Sequence, residues 1–150
     1  GTAGSLASVP GLDSTFLTMN GDLLTDVDFT RLLAAHRHSG AALTIGTHER
    51  VEKIDLGILE TDNDGTVTAY HEKPSHAYTV SMGVYVYEPC VLNYIKPDTY
   101  LDLPDLVQTL LRAGEKVGTY CHDGFWLDIG RPDDYAQAQE IIAGHPERFA

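Results

Sequence analysis

Hydrophobic and polar positions along this chain follow two rhythms: compact apolar blocks closed by turn residues, and apolar residues recurring every three or four positions. Thr15-Phe16-Leu17-Thr18-Met19 is a compact block, which predicts a buried strand ended by Asn20-Gly21-Asp22. Asp26 or Asp28 then caps a helix carrying Phe29, Leu32, Leu33 and His36 at helical spacing, with Gly40 as its stop. Ala42 to Thr47 reads as the next strand. The intervening helix makes parallel pairing with the first strand the expectation. Gly57 to Thr61 and Thr66 to His71 flank Asp62-Asn63-Asp64-Gly65, a hairpin signature. Tyr78 to Tyr87 is dominated by β-branched and aromatic residues and predicts a long strand. Short helices are expected over Thr2 to Ser8, ended by Pro10-Gly11, and over Val91 to Ile95. Asp102-Leu103-Pro104 starts a longer one that runs to Arg112 and stops at Gly114. Lys116 to Cys121 and Phe125 to Ile129 read as strands, and Pro132 opens a last helix with Tyr135, Ala138 and Ile142 on one face.

The resulting order is β-α-β, a hairpin, then β-α-α-β-β-α. This is an α/β chain with an antiparallel excursion in its middle. At 150 residues one domain with a real core is expected, spanning residues 1–150. The opening Gly1-Thr2-Ala3-Gly4-Ser5-Leu6 carries no initiator Met and reads like the interior of a longer chain.

Charge changes this picture more than composition does. The formal net charge is −12, which repels nucleic acid and anionic membranes and argues against both as partners. The same field repels a free nucleotide unless a cation or local basic groups offset it, so a metal is expected. Cys90 and Cys121 lack metal-type spacing and read as two reduced, buried thiols of a cytoplasmic protein. No apolar run approaches transmembrane length.

The candidate chemistry centres on two aspartates. Asp22 and Asp128 each close an apolar, strand-like run. Singly, each reads as a turn residue or helix cap. As a pair at strand ends, where open α/β sheets bind ligands, they form a seat for Mg²⁺. That ion takes one or two protein carboxylates and fills its other positions with water and substrate phosphates. His71-Glu72-Lys73-Pro74 follows a strand. Either it is solvated surface charge, or Lys73 meets a phosphate as a point charge and Glu72 accepts from sugar hydroxyls. Gly57 and Gly83 interrupt strand-like segments, marking a bulge or the close approach of a ligand. Gly1-Thr2-Ala3-Gly4, ahead of a helix, lets backbone amides approach a base or phosphate. The seven histidines form no zinc pattern and read as structural or surface residues. No Gly-x-Ser-x-Gly elbow or Cys–His arrangement suggests covalent catalysis.

Four motifs then occur in a telling order: Asn20-Gly21-Asp22, Glu72-Lys73-Pro74, Ser81-Met82-Gly83-Val84-Tyr85 and Trp126-Leu127-Asp128-Ile129-Gly130-Arg131-Pro132. Together they resemble the sugar-1-phosphate nucleotidyltransferases, or NDP-sugar pyrophosphorylases. Gly1-Thr2-Ala3-Gly4 resembles that family's base-contacting segment. Leu103-Pro104-Asp105-Leu106 and Asp128 to Tyr135 resemble its mannose-1-phosphate guanylyltransferase-like branch. The likeness runs from residue 1 to about residue 142.

The resemblance implies a Rossmann-like mixed sheet of the nucleotidyltransferase type. It also implies a reaction in which a sugar-1-phosphate oxygen attacks the α-phosphorus of a nucleoside triphosphate, giving NDP-sugar and pyrophosphate. By the same resemblance Asp22 and Asp128 hold Mg²⁺ and Lys73 binds the sugar phosphate. Glu72, Gly57 and Gly83 hold sugar hydroxyls, and Gly1, Thr2 and Gly4 lie near the base, with guanine and a manno-configured sugar as the expected pair. Two departures stand out. The family's opening Gly-rich loop with Gly-Thr-Arg, which cradles the triphosphate, does not occur in this chain, so N-terminal strands are expected to be lacking and this polypeptide alone is expected to be inactive. Ser81 also stands where the family has Asn. Without the missing strands, the Thr15–Met19 strand is expected to expose an edge, and the isolated chain either to form homo-oligomers through it or to be only marginally stable. Two other readings stand beside this one: a non-catalytic sugar-phosphate-binding or regulatory module, and a metal-dependent glycosyltransferase using Asp26-Val27-Asp28 as an Asp-x-Asp pair.

Overall fold

In the computed structural model, which describes residues 1–149, the chain divides into two compact units. Among the described residues, the first comprises residues 1–48 and 81–149, the second residues 49–80. The elements in chain order are a 3₁₀ turn (Gly4–Ser8), β1 (Phe16–Met19), β2 (Leu23–Thr25), α1 (Phe29–Ser39), β3 (Leu43–Lys53), β4 (Ile58–Thr61), β5 (Val67–His71) and β6 (Ser75–Tyr87). A second 3₁₀ turn (Pro89–Tyr94), α2 (Leu103–Arg112), β7 (Val117–Cys121), β8 (Trp126–Asp128), α3 (Pro132–Gly144) and a final 3₁₀ turn (Pro146–Phe149) complete it. Among the described residues, no helix is long and apolar enough to cross a membrane.

A mixed four-stranded sheet organises the first unit, in the order β1-β6-β3-β7. β1 pairs antiparallel with β6, and β3 pairs parallel with β7. The expected parallel pairing of the first two predicted strands is therefore not formed, because β6 lies between them. β6 also runs against β3. The Glu88 amide donates to the Ala42 carbonyl, whereas a methyl on Gly46 would meet the Met82 side chain and the Val84 carbonyl.

Strand β6 shows why its sequence lacks polar alternation. Tyr85 and Tyr87 enter one apolar cluster with Leu6, Leu43, Leu106 and Leu110. Met82, Val84 and Val86 enter another with Val27 and Leu32. A strand covered on both faces reads as a continuous apolar run, since alternate side chains serve opposite layers. Helix α1 starts where Asp28, not Asp26, caps the Arg31 amide (3.0 Å), and it ends at Gly40, whose φ of 63° is left-handed. His36, buried on α1, hydrogen-bonds Thr44 Oγ1 at 2.7 Å and Glu88 Oε1 at 3.0 Å, tying the helix to the sheet. Both cysteines are free, as expected, but exposed rather than buried. Cys90 sits in the 3₁₀ turn just after β6 and Cys121 on the last residue of edge strand β7, and neither belongs to the two clusters.

In the second unit β4 and β5 pair antiparallel across the expected turn. Asp62 Oδ1 accepts from the Asp64 and Thr66 amides, and Gly65 takes φ 82°.

Candidate active site

One element was not expected from sequence and does the positioning. After the Asn20-Gly21-Asp22 turn the chain enters β2, which pairs antiparallel with β8 as a separate ribbon, Leu23 opposite Asp128. The Ile129 amide donates to the Asp22 carbonyl at 2.9 Å. The two aspartates are thereby neighbours: a methyl built on Gly130 would stand 3.1 Å from Asp128 Oδ1 and 3.7 Å from Asp22 Oδ2. The oxygens can be no farther apart than those two spans laid end to end. Both residues are exposed, and among the described residues Asp128 Oδ1 accepts only the Gly130 amide, at 3.0 Å. Two hard carboxylates facing one point suit a Mg²⁺ that completes its shell with water and phosphate oxygens. No third His, Cys, Asp or Glu joins them among the described residues.

A cavity of about 530 Å³ opens at the end of β1, where Asn20, two residues before Asp22, is part of its wall. Its lining includes Thr2 and Leu6 from the N-terminal segment, Thr18 and Asn20 at the end of β1, and Ser81 and Tyr85 of β6. Ser81 Oγ and Tyr85 OH are 3.0 Å apart. Tyr87, also on the wall, is pushed up to about 12 by burial, so its hydroxyl stays protonated. Gly83 is buried with φ 76°, and its carbonyl accepts the Asn20 amide at 2.9 Å. A methyl there would come within 2.8 Å of Leu23 Cδ1 and 2.9 Å of Asn20 Nδ2. Its close approach is thus to the loop that carries Asp22.

The opening glycines have an equally local role. A methyl on Gly1 would overlap the Leu101 carbonyl, and one on Gly4 would sit 2.7 Å from the Thr99 carbonyl. The segment lies flat on residues 99–102. Thr2 Oγ1 accepts the Leu103 amide at the start of α2, and the Thr2 amide donates to Asp102 Oδ1. The Tyr100 hydroxyl and that amide hold the Asp102 carboxyl below its usual range.

The remaining predicted residues belong to the second unit. A methyl on Gly57 would overlap the Tyr70 ring, whose hydroxyl donates to Glu72 Oε2 at 2.8 Å. Gly57 and Glu72 thus meet through Tyr70. Lys73 is exposed and takes φ 44°, an unfavourable backbone for a residue that precedes proline. Such strain is characteristic of functional positions.

Asp26, read from the sequence as a helix cap or half of an Asp-x-Asp pair, instead has a carboxylate that joins His122, Phe125 and Arg148. Its signal was present in Asp26-Val27-Asp28, where Asp28 alone meets the needs of the cap.

The fold and the paired carboxylates define an α/β domain suited to phosphate chemistry, and comparison with known proteins agrees. A family model described as "Nucleotidyl transferase" matches residues 2–144, and the chain belongs to that family. It is 34% identical over 149 residues to a UTP--glucose-1-phosphate uridylyltransferase of Synechocystis sp., covering 92% of this chain and 38% of the relative. It is 31% identical over 145 residues to a mannose-1-phosphate guanylyltransferase catalytic subunit beta of Drosophila pseudoobscura pseudoobscura, covering 90% of this chain and again 38% of the relative. The chain therefore spans about two fifths of the length of these curated relatives. The crystal structure of HddC from Yersinia pseudotuberculosis shares the fold, with a TM-score of 0.63 and 22% identity over 95% of this chain and 62% of that one.

Proposed function

We propose that this chain supplies the metal- and sugar-binding part of a sugar-1-phosphate nucleotidyltransferase, which joins a nucleoside triphosphate to a sugar 1-phosphate and releases pyrophosphate. The observation that carries this reading is the meeting of Asp22 and Asp128 at Gly130. These two carboxylates would hold Mg²⁺, which would supply neutralisation of the phosphate charge there. Lys73 pairs with the sugar phosphate. The strained Lys73 backbone and the Tyr70 bridge between Gly57 and Glu72 support a built phosphate- and hydroxyl-binding segment. The cavity beside Asn20 and Tyr85 takes the sugar, with Gly83 setting the loop at its wall. Thr2 lines the same cavity, and the base lies near Gly1, Thr2 and Gly4. Little covalent chemistry is asked of the protein; positioning and charge neutralisation carry the step.

Guanine and a manno-configured sugar are the proposed substrates. One relative is named for mannose 1-phosphate and guanylyl transfer, another for UTP and glucose 1-phosphate. A cytoplasmic setting, where thiols stay reduced, suits two unpaired cysteines. The Asp-x-Asp reading loses its basis, because Asp28 caps α1 and Asp26 is held by three donors. The test is pyrophosphate release by the full gene product from guanosine triphosphate and mannose 1-phosphate with Mg²⁺. Asp22→Asn should lower kcat at least about 100-fold, since metal stabilisation of the transition state is worth several kcal/mol. Unchanged turnover in that variant would remove the proposal, and no turnover with any nucleotide would favour a binding module.

A further inference from the structure

The ribbon that sets Asp22 beside Asp128 is only three residue pairs long. A two-stranded ribbon of that size is marginal unless held from outside. Its register also matters, because a slip of one residue would turn the Asp128 side chain to the opposite face. One end is closed by the Ile129 amide on the Asp22 carbonyl. The other end converges on a single carboxylate.

Asp26 follows β2 directly. Its amide donates to the Phe125 carbonyl at 3.2 Å, and Thr25 Oγ1 donates to the same carbonyl at 2.9 Å. Asp26 Oδ1 accepts the Phe125 amide at 2.7 Å and His122 Nε2 at 2.9 Å, with the ring proton on Nε2. Asp26 Oδ2 accepts Arg148 Nε at 2.6 Å. Phe125, the residue before β8, is thus gripped by both its N–H and its C=O. His122 carries the grip into the main sheet, where its amide donates to the Thr47 carbonyl at 2.8 Å. Arg148 lies 5.0 Å above the Phe125 ring, and Phe149 meets that ring edge-on at 5.6 Å. Gly124 records the same packing: a methyl there would stand 2.5 Å from both Asp26 Oδ1 and the His122 ring.

We propose that Asp26 is a positioning residue, whose carboxylate locks β8 in register against β2 and so sets the spacing of Asp22 and Asp128. The C-terminal Arg148 is the cation that keeps this lock ionised and closed. The inference rests on the reading that those two aspartates hold a divalent cation. Its test is built to fail separately from that reading.

Mn²⁺ serves as the probe, titrated into the full gene product and followed by the electron paramagnetic resonance of the free ion. Asp22→Asn should abolish binding. Asp26→Ala should weaken it 10- to 100-fold, the range seen when a group that orients metal ligands is lost. Asp26→Asn keeps an acceptor for Phe125 but presents its amide to Arg148, so it should weaken binding less. Adding Arg148→Gln, whose carbonyl can accept that amide, should recover part of the loss. In turnover, kcat should fall while KM for the sugar 1-phosphate changes less than about twofold, because no substrate contact is removed. Should Asp26→Ala fail to fold, Asp26→Asn and its double variant carry the same comparison. Wild-type Mn²⁺ affinity in the Asp26 variants, with binding lost in Asp22→Asn, overturns the inference and leaves the metal reading standing. Wild-type affinity in Asp22→Asn overturns both.

Discussion

Lys73 and Gly83 both hold backbone conformations that L side chains avoid, for opposite reasons. Lys73 keeps a side chain at φ 44°, at a cost of about 1–2 kcal/mol. Gly83 has none at φ 76°, because the Asn20–Leu23 loop fills the space. Replacing Lys73 by glycine removes the strain but loosens the unfolded chain by about 0.5–1 kcal/mol, so stability should change little. Activity should not survive equally well: kcat/KM for the sugar phosphate should fall at least tenfold, as the point charge is gone. A denaturant midpoint near wild type beside such a loss separates the two effects; unaltered kcat/KM refutes the assignment. Gly83→Ala should do the reverse in kind. It forces both a strained φ and an overlap with Leu23, and should destabilise by about 1–3 kcal/mol in equilibrium unfolding. A loss below about 0.5 kcal/mol would mean that the loop yields freely.

At the level of elements, the β2–β8 ribbon carries the site and is also where acid should act first. Burial would raise the Asp26 carboxyl, but hydrogen bonds from Arg148, the Phe125 amide and His122, with the Arg148 charge, hold it below its usual 3.8. A depressed folded value means that the native state favours the carboxylate. That stabilisation is present in full above pH 3.8, where the unfolded chain is ionised too, and is lost as pH falls through the folded value. Trp126, the single tryptophan, lies on β8 and donates to the Met82 carbonyl, so its emission reports the ribbon. Wild-type emission should hold to about pH 4 and shift below it, whereas Asp26→Asn should be shifted already at neutral pH. Identical titrations of the two would contradict the assignment. Sequence patterning made most of these elements legible. Asp28 and Gly40 bound α1, Pro104 opens α2, and Asp62 to Gly65 turns the hairpin. It missed β2, because three residues are too few to show a period, and it misordered the sheet. The pairing of β6 with β1 links residues far apart in sequence, which local pattern does not record. The two site aspartates were legible as strand-end carboxylates; Asp26 was not, since its partners lie about 100 residues away.

For the whole molecule, the sheet order leaves β1 and β7 as edges, and the two are not equally protected. Charged residues flank β7, with Glu115 and Lys116 before it and Asp123 soon after. Phe16–Met19 has neither charge nor proline, its immediate neighbours are Ser14, Thr15, Asn20 and Gly21, and Met19 is 44% exposed. Such an edge offers a row of unpaired backbone groups to any second strand. Opposing this, two copies each carrying −12 repel one another at low salt. The balance should therefore depend on ionic strength. The 150-residue polypeptide, expressed alone, should be largely monomeric in dilute buffer. It should associate as salt approaches about 1 M, where the screening length falls to about 3 Å. Met19→Lys places a charge on the edge itself and should shift that onset upward, read as molar mass by light scattering. A wild-type chain that stays monomeric with a high unfolding midpoint at every salt concentration would show that β1 is already guarded by something other than charge.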